Sequence, residues 1–271
     1  MQNDSFGNRM KAYERNGTSL IAMPLLPLCI RIDGKAFHSY TKGMNRPYDE
    51  RLRKIFSYVT RKLMEETSAI IGYTQSDEIS LILYEENPKS QLIFDGKIYK
   101  INSVLASLAT YFFQEGCKLF FPERLMSRPA IFDCRAWNVP TCIEAVNYLL
   151  WREQDATKNA ISMAARVYYY HKELEGKDGK QKQEMLFQKG VNFNDLPDFF
   201  KRGIYLQKVS SFRKFTTEEL EKLPEKHDAR SNPDLQIERK DIVEVSIPPL
   251  HKIKNRVSFV FKGHRPITEQ E

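Results

Sequence analysis

Six apolar segments, alternating between strand-like and helix-like periodicity in the order β-α-β-β-α-β, constrain this chain more than any other feature of its sequence. The first, residues 21–32, ends in the buried run LPLCIRI and stops at the turn pair Asp33-Gly34. Leu52, Ile55, Phe56, Val59 and Leu63 then recur at helical spacing, with Pro47 and Asp49 as start signals upstream. Two short apolar runs, residues 69–75 and 79–84, flank the polar Ser76-Asp77-Glu78 and predict a hairpin. Ile101, Val104, Leu105, Leu108 and Phe112 repeat the helical template, and a last apolar segment, residues 130–139, ends before Pro140. This is the order of the split βαβ, ferredoxin-like arrangement of the α+β class, with helices packed on an antiparallel sheet. A right-handed crossover makes the first two strands parallel with the third between them, so the end of strand one and the hairpin turn share one sheet edge. Asp33 and Asp77 are therefore expected to be neighbours.

After Pro140 the pattern turns helical, opening with a capping box between Thr141 and Glu144. A bend is expected over residues 155–159, a second helical stretch up to Leu174, a turn at EGKDGK, and another helix over 182–188, together an annex beside the sheet. Residues 212–233 are charged and poor in core side chains, the signature of a mobile connector, while 241–247 and 257–261 predict a terminal hairpin. The expected organisation is a catalytic core over 1–140, a helical annex over 141–211, and a connector with a C-terminal hairpin or tail over 212–271.

Lys and Arg number 42 against 35 Asp and Glu, a formal charge of +7, which favours an anionic partner. On charge alone, nucleic-acid binding and a merely basic surface are equal readings. The longest apolar run, residues 20–30, is broken by Pro24 and Pro27 and falls short of the roughly 18 residues a membrane span needs. No membrane partner and a cytoplasmic location are expected. Cys29, Cys117, Cys134 and Cys142 form no C-x-x-C pair and the five histidines are scattered, which argues against a zinc site or disulfide framework. Neither a G-x-x-x-x-G-K-[ST] loop nor a G-x-G-x-x-G fingerprint is present, and no local signature marks a Ser-His-Asp or Cys-His nucleophile.

Asp33 and Asp77, with Glu78 adjacent and the Gly34 carbonyl nearby, form an oxygen-rich set suited to magnesium. Two such ions activate an attacking hydroxyl and stabilise a leaving phosphate, a chemistry that asks little more of the protein. The competing reading is a plain Asp-Gly turn and a polar hairpin tip, and it is the expected adjacency of both that argues for a site. Lys35, His38, Lys97, Lys100, Arg135 and Lys182 are the basic candidates for phosphate. In residues 166–172, RVYYYHK, aromatics interleave with bases; the stretch either stacks on single-stranded nucleotides or is a helix with a buried tyrosine face. Phe199-Phe200-Lys201-Arg202 poses the same choice.

Taken together, RIDGKAFHSYTKG (31–43), GYTQSDEIS (72–80), IFDCRAWNVP (131–140), YLLWREQDATKNA (148–160) and the region from QEMLFQKGVNFND to KRG (183–203) resemble the tRNA(His) guanylyltransferase superfamily, over residues 5–208. The resemblance implies a polymerase-palm fold, two Mg2+ ions, and nucleotide addition to a tRNA 5′ end in the 3′-to-5′ direction. It implies activation of the 5′-monophosphate by ATP, displacement of AMP by the 3′-hydroxyl of GTP or another nucleoside triphosphate, and a homotetramer built as a dimer of dimers. By motif, Asp33, Asp77 and Glu78 match the metal-site carboxylates, with Gly34 giving a carbonyl. Lys35, Ala36, Phe37 and His38 match the nucleotide-binding part of the first motif. Ser76 adjoins the metal site, and Lys97, Lys100, Arg135 and Lys182 match phosphate-contacting positions. Arg152, Lys158, Asn159, Arg166, Lys201 and Arg202, in the later motifs, are the candidate RNA contacts.

The sequence also departs from the family. Lys97 stands where relatives carry arginine, and Lys182-Gln183-Glu184 replaces Lys-Asn-Glu. Where the guanylyltransferases proper have His-Ile-Asn-Asn, this chain has Thr157-Lys158-Asn159-Ala160. That departure resembles the guanylyltransferase-like branch, whose members repair truncated tRNA 5′ ends using Watson-Crick pairing. The alternatives are G addition to tRNA(His), a nucleotide cyclase on the same palm, and a non-catalytic RNA-binding module.

Overall fold

The computed structural model describes residues 4–124, 129–232 and 234–268. Its first element is α1 (Ser5–Thr18), started by the Asp4 carboxylate, which accepts the Gly7 amide at 2.8 Å; none of its residues is buried. Strand β1 (Leu28–Gly34) leads through the single-turn helix α2 (Phe37–Tyr40) to α3 (Glu50–Thr67). The hairpin β2 (Ile71–Gln75) and β3 (Glu78–Leu83) precedes α4 (Ile98–Phe120) and β4 (Phe132–Asn138). Then come α5 (Cys142–Ala165), α6 (His171–Leu174), α7 (Gly179–Gln188) and α8 (Asp198–Arg202). The chain ends with β5 (Ile204–Lys214), α9 (Thr217–Lys222), α10 (Asp228–Ser231), β6 (Gln236–Val245) and α11 (Arg256–Lys262).

The expected β-α-β-β-α-β core is present. The sheet order is β4-β1-β3-β2-β5-β6, and β1 and β2 both pair antiparallel with β3, so they run parallel to each other. Alternation sorts the side chains. Ile30, Ile32, Ile79 and Leu81 point to the face covered by α3 and α4, where Ile55, Phe56, Leu63, Leu105 and Phe113 complete the main core. Fully burying each such side chain contributes about 1.5–3 kcal/mol. α3 starts where Asp49 accepts the Arg51 amide at 3.0 Å and ends at Ser68 in the left-handed region, φ 57°. It approaches β2 at Gly72, where an added Cβ would lie 2.7 Å from the Thr60 methyl and 2.8 Å from the Met64 sulfur.

Several expectations are corrected. The helical region after Pro140 lies across the second face of the sheet rather than beside it: Ala145, Val146, Tyr148 and Leu149 of α5 pack with Cys29, Ile71, Tyr73 and Ile82. No bend interrupts residues 155–159, because an unbroken stripe of Leu149, Ala156, Ala160 and Ala164 stays buried and no Gly or Pro intervenes. The terminal hairpin does not form. Residues 241–245 belong to β6 and pair with β5, which the apolar pattern had not predicted, while 257–261 lie in α11. There, Phe259 and Val260 are buried beside α5, so tertiary packing overrides a strand-like alternation. The expected connector is structured over much of its length, carrying the end of β5, α9 and α10; Pro233 lies outside the described residues.

Candidate active site

β1 and β3 pair with Asp33 opposite Glu78, and the Gly34 amide donates to the Asp77 carbonyl at 3.2 Å. The two distant aspartates thus meet at one rim, as the topology requires. The hairpin turn consists of Ser76, at φ 55°, and Asp77, whose carboxylate accepts the Ser76 hydroxyl at 2.9 Å. Gly34 permits this close approach: a Cβ there would lie 2.4 Å from the Phe37 ring and 3.0 Å from Asp77 Cβ.

On the other flank of β1, Asp33 faces Asp133 of β4, an acid that motif reading passed over although Asp-x-Arg alternation puts it on the same face. Like charges opposite one another on paired strands are unfavourable. Burial, then Asp133, raise the Asp33 pKa, against the lowering effect of Arg31 and Arg135. Asp77 is raised further, to about 6, chiefly by burial and also by Asp33, despite its bond from Ser76. Asp33 and Asp77 thus carry charge that burial opposes and that Arg31 and Arg135 offset only in part at Asp33.

Glu78 is held differently. Arg152 of α5 donates from Nε to Glu78 Oε1 at 2.6 Å and from Nη2 to Oε2 at 2.7 Å, and Nη2 also reaches Asp155 at 3.0 Å. The guanidinium lies 4.4 Å from the Trp151 ring centroid, and Arg31 lies over the same ring at 5.9 Å. Arg152 is only 8% exposed and orients Glu78 from the helix side, while it also lines one of the cavities beside the hairpin turn. Sequence reading missed this role; the signal was Arg-x-x-Asp on one helix face.

Two cavities open on either side of the hairpin turn. One, of about 550 Å³, is lined by Asp33, Gly34, Ala36, Phe37 and His38, by residues 44–49, and by Ser76, Asp77, Phe199 and Phe200. The other, of about 450 Å³, is lined by Asp33, Ser76, Asp77, Glu78, Arg152, Asp155, Asn159 and Ser162. Arg166 and Met163 line both. Ala36 adopts φ 51° and swings the backbone toward the first cavity, leaving Lys35 and His38 exposed, while the Phe37 ring is buried against Phe56, Phe113 and Phe132. Lys182 donates to Ser162 Oγ at 3.1 Å, behind the second cavity wall.

The other candidates lie apart from the cavity linings. Lys97 pairs with Asp95 at 3.4 Å, Lys100 sits over the Phe94 ring, and Arg135 pairs with Asp133 at 3.0 Å. Lys158 is exposed on α5; Lys201 and Arg202 both pair with Asp198, at 3.2 and 2.6 Å.

The family model described as tRNAHis guanylyltransferase matches residues 7–140, the segment that carries both aspartates and the hairpin. The tRNA(His) guanylyltransferase of Schizosaccharomyces pombe is 31% identical over 72% of this chain and 77% of its own length. A bacterial tRNA(His) guanylyltransferase (Thg1)-like protein solved in complex with ATP superimposes with a TM-score of 0.70 at 40% identity, covering 76% of this chain and 87% of that one. The same kind of bacterial protein in complex with GTP gives a TM-score of 0.63 at 36% identity, over 76% and 86%. Palm topology, paired aspartates and relatives agree: this chain belongs to the tRNA(His) guanylyltransferase family of nucleotidyltransferases.

Proposed function

We propose that this protein adds nucleotides in the 3′-to-5′ direction to truncated tRNA 5′ ends, each selected by pairing with the opposing strand. The observation that carries this reading is the segment after Trp151-Arg152. The continuous helix α5 brings Asp155 and Asn159 to the second cavity, Ala156 is buried, and Lys158 faces solvent, so of Thr157-Lys158-Asn159-Ala160 only Asn159 reaches the cavity wall. With a single side chain of that segment at the wall, the template strand supplies specificity. The higher identity to the bacterial guanylyltransferase-like structures supports the same branch.

In this reaction the RNA 5′-phosphate attacks ATP, releasing pyrophosphate and leaving an adenylylated end; the 3′-hydroxyl of the incoming nucleotide then displaces AMP. The exposed turn that carries Ala36 and His38 into the first cavity's lining, with Lys35 just outside it, supports a triphosphate role for that cavity. Asp33, Asp77 and the Gly34 carbonyl are the donors that would hold Mg2+, with Glu78 turned to the same rim by Arg152. Among the described residues no three acidic, His or Cys side chains converge as a ready-made cage. Magnesium keeps several waters and takes one or two carboxylates plus substrate phosphate, a demand Asp33 and Asp77 can meet. When bound, it supplies Lewis-acid activation of the hydroxyl and charge stabilisation at phosphorus. Assembly as a dimer of dimers belongs to the same proposal. Among the described residues no helix is long and apolar enough to cross a membrane.

The test is 5′-end extension of labelled tRNAs lacking their first nucleotide, beside full-length tRNA(His), with each nucleoside triphosphate in turn. Addition of the nucleotide complementary to the opposing base is expected. G addition confined to full-length tRNA(His), whatever base stands opposite, would assign the protein to the guanylyltransferases proper.

A further inference from the structure

The RVYYYHK stretch, which sequence reading left open between a buried tyrosine face and a nucleotide-stacking surface, is resolved by the fold. α5 ends at Ala165, and the chain then turns: Tyr168 and Tyr169 amides donate back to the Ala165 carbonyl. Only Tyr169 tucks in, donating its hydroxyl to the Met185 carbonyl of α7 at 2.8 Å, with Lys189 over its ring at 5.3 Å. Its neighbours face outward: Tyr168 is 47% exposed and Tyr170 84%, and on the adjoining α7 Phe187 is 68% exposed. Isolated exposed aromatics are commonplace, but three beside the exposed cations Arg166, Lys172 and Lys189 form a mixed stacking and basic surface.

Arg166 joins this surface to the candidate active site. Arg166 lines both cavities, has no side-chain partner among the described residues, and stands two positions before Tyr168. Lys182 of α7 is tied to Ser162, which lines the second cavity.

Resting on the proposed function, we propose that Tyr168 and Tyr170, with Arg166 and Lys172, bind the unpaired 3′ extension of the RNA whose 5′ end occupies the cavities. The chemistry selects this occupant. Paired bases are stacked on one another and offer no free faces to tyrosine, whereas unpaired bases do, and their phosphates suit the flanking cations. An acceptor end that holds its 5′ nucleotide at Asp33 and Asp77 necessarily carries its opposing strand past the same rim, and that strand continues unpaired beyond the duplex.

The experiment uses a labelled RNA minihelix with a 5′-phosphate, with and without a four-nucleotide unpaired 3′ tail, and measures both affinity and 5′ extension. Stacking contributes roughly 5- to 150-fold per base in affinity, so the wild type should bind the tailed helix at least about tenfold more tightly. The Tyr168→Ala/Tyr170→Ala double variant should lose that preference while binding the blunt helix as the wild type does. Tyr168→Phe/Tyr170→Phe should keep it. Both side chains are exposed, so the melting temperature should not move. If the double alanine variant discriminates tail from blunt as the wild type does, the inference fails while the enzymatic reading stands. A changed oligomeric state in that variant, by light scattering, would assign the patch to a subunit interface and equally overturn the inference. A wild type that binds and extends no RNA would remove both.

Discussion

The two faces of the central sheet are built on different principles. Toward α3 and α4 the strands present Ile30, Ile32, Ile79, Leu81 and Phe132, and the helices answer with Ile55, Phe56, Leu105 and Phe113. Toward α5 the sheet buries Tyr73, Ser80, Tyr205 and Gln207, and α5 brings Tyr148, Arg152 and Glu153 against them. An apolar face needs volume and pattern, and tolerates rearrangement; a polar face needs each donor matched to its acceptor. Strand alternation that sends Ile32 and Ile79 into the apolar core sends Asp33 and Glu78 to the other side. The acids and the buried polar network therefore share one face, which suggests that stability is drawn mainly from the first face and site geometry from the second.

The largest separation of the two is expected at Asp77. Asp77→Asn should lower nucleotide addition by roughly a thousandfold or more, the scale of several kcal/mol of lost transition-state stabilisation. The same change should stabilise the metal-free fold. Burial and Asp33 raise the Asp77 pKa to about 6, above the unfolded value of 3.8, so the folded state holds the proton more tightly between these pH values. Metal-free stability should then fall as pH rises from about 4 to about 6 and stay lower above, by roughly 1–3 kcal/mol at full ionisation. Melting curves with and without Mg2+, across that pH range, check it. A variant that melts lower than the wild type in metal-free buffer at pH 7 would show that the aspartate is not strained by its surroundings.

Next comes the apolar face. Phe113 is fully buried among Phe37, Phe56 and Phe132 rings, and Phe113→Ala should cost about 3–5 kcal/mol in urea unfolding. Activity per folded molecule should change little. On the polar face, Arg152→Met leaves Glu78 without its partner and should cost about 3 kcal/mol. Adding Glu78→Leu to it should recover most of the stability and none of the activity. A double variant as active as the wild type would remove the pair from the site.

This contrast also explains what the sequence made legible. Periodicity exposed the apolar face, because Leu52 to Leu63 and Ile101 to Phe112 each mark one buried stripe, and the topology then brought Asp33 to Asp77 without further information. The polar face was opaque. Arg152 looks like any surface arginine until α5 is laid across the sheet, and Asp133 gains meaning only from its register opposite Asp33. β5 carries a mixed pattern, Ile204 to Lys214, whose inner half is buried and whose outer half runs into a ribbon with β6. Val257, Phe259 and Phe261 alternate like a strand, yet the left-handed Gly263 closes them as a helix packed on α5. Each miss depends on a partner distant in sequence.

The smallest effect expected is also the most diagnostic of the polar face. Tyr148 is 6% exposed, and its hydroxyl meets the Ile30 carbonyl at 3.0 Å and Ser80 Oγ at 2.8 Å, one element away from Glu78 on β3. Tyr148→Phe keeps the ring against Trp137 and removes only these bonds, so about 1 kcal/mol of stability should be lost. If the polar face is a positioning device, the rate should fall more than this modest loss of stability would explain, because Ser80 and Glu78 share the strand that Tyr148 steadies. Parallel measurement of unfolding free energy and of kcat decides it: a stability loss with unchanged kcat would reduce the hydroxyl to a satisfied core group, and the two faces would differ in composition but not in role.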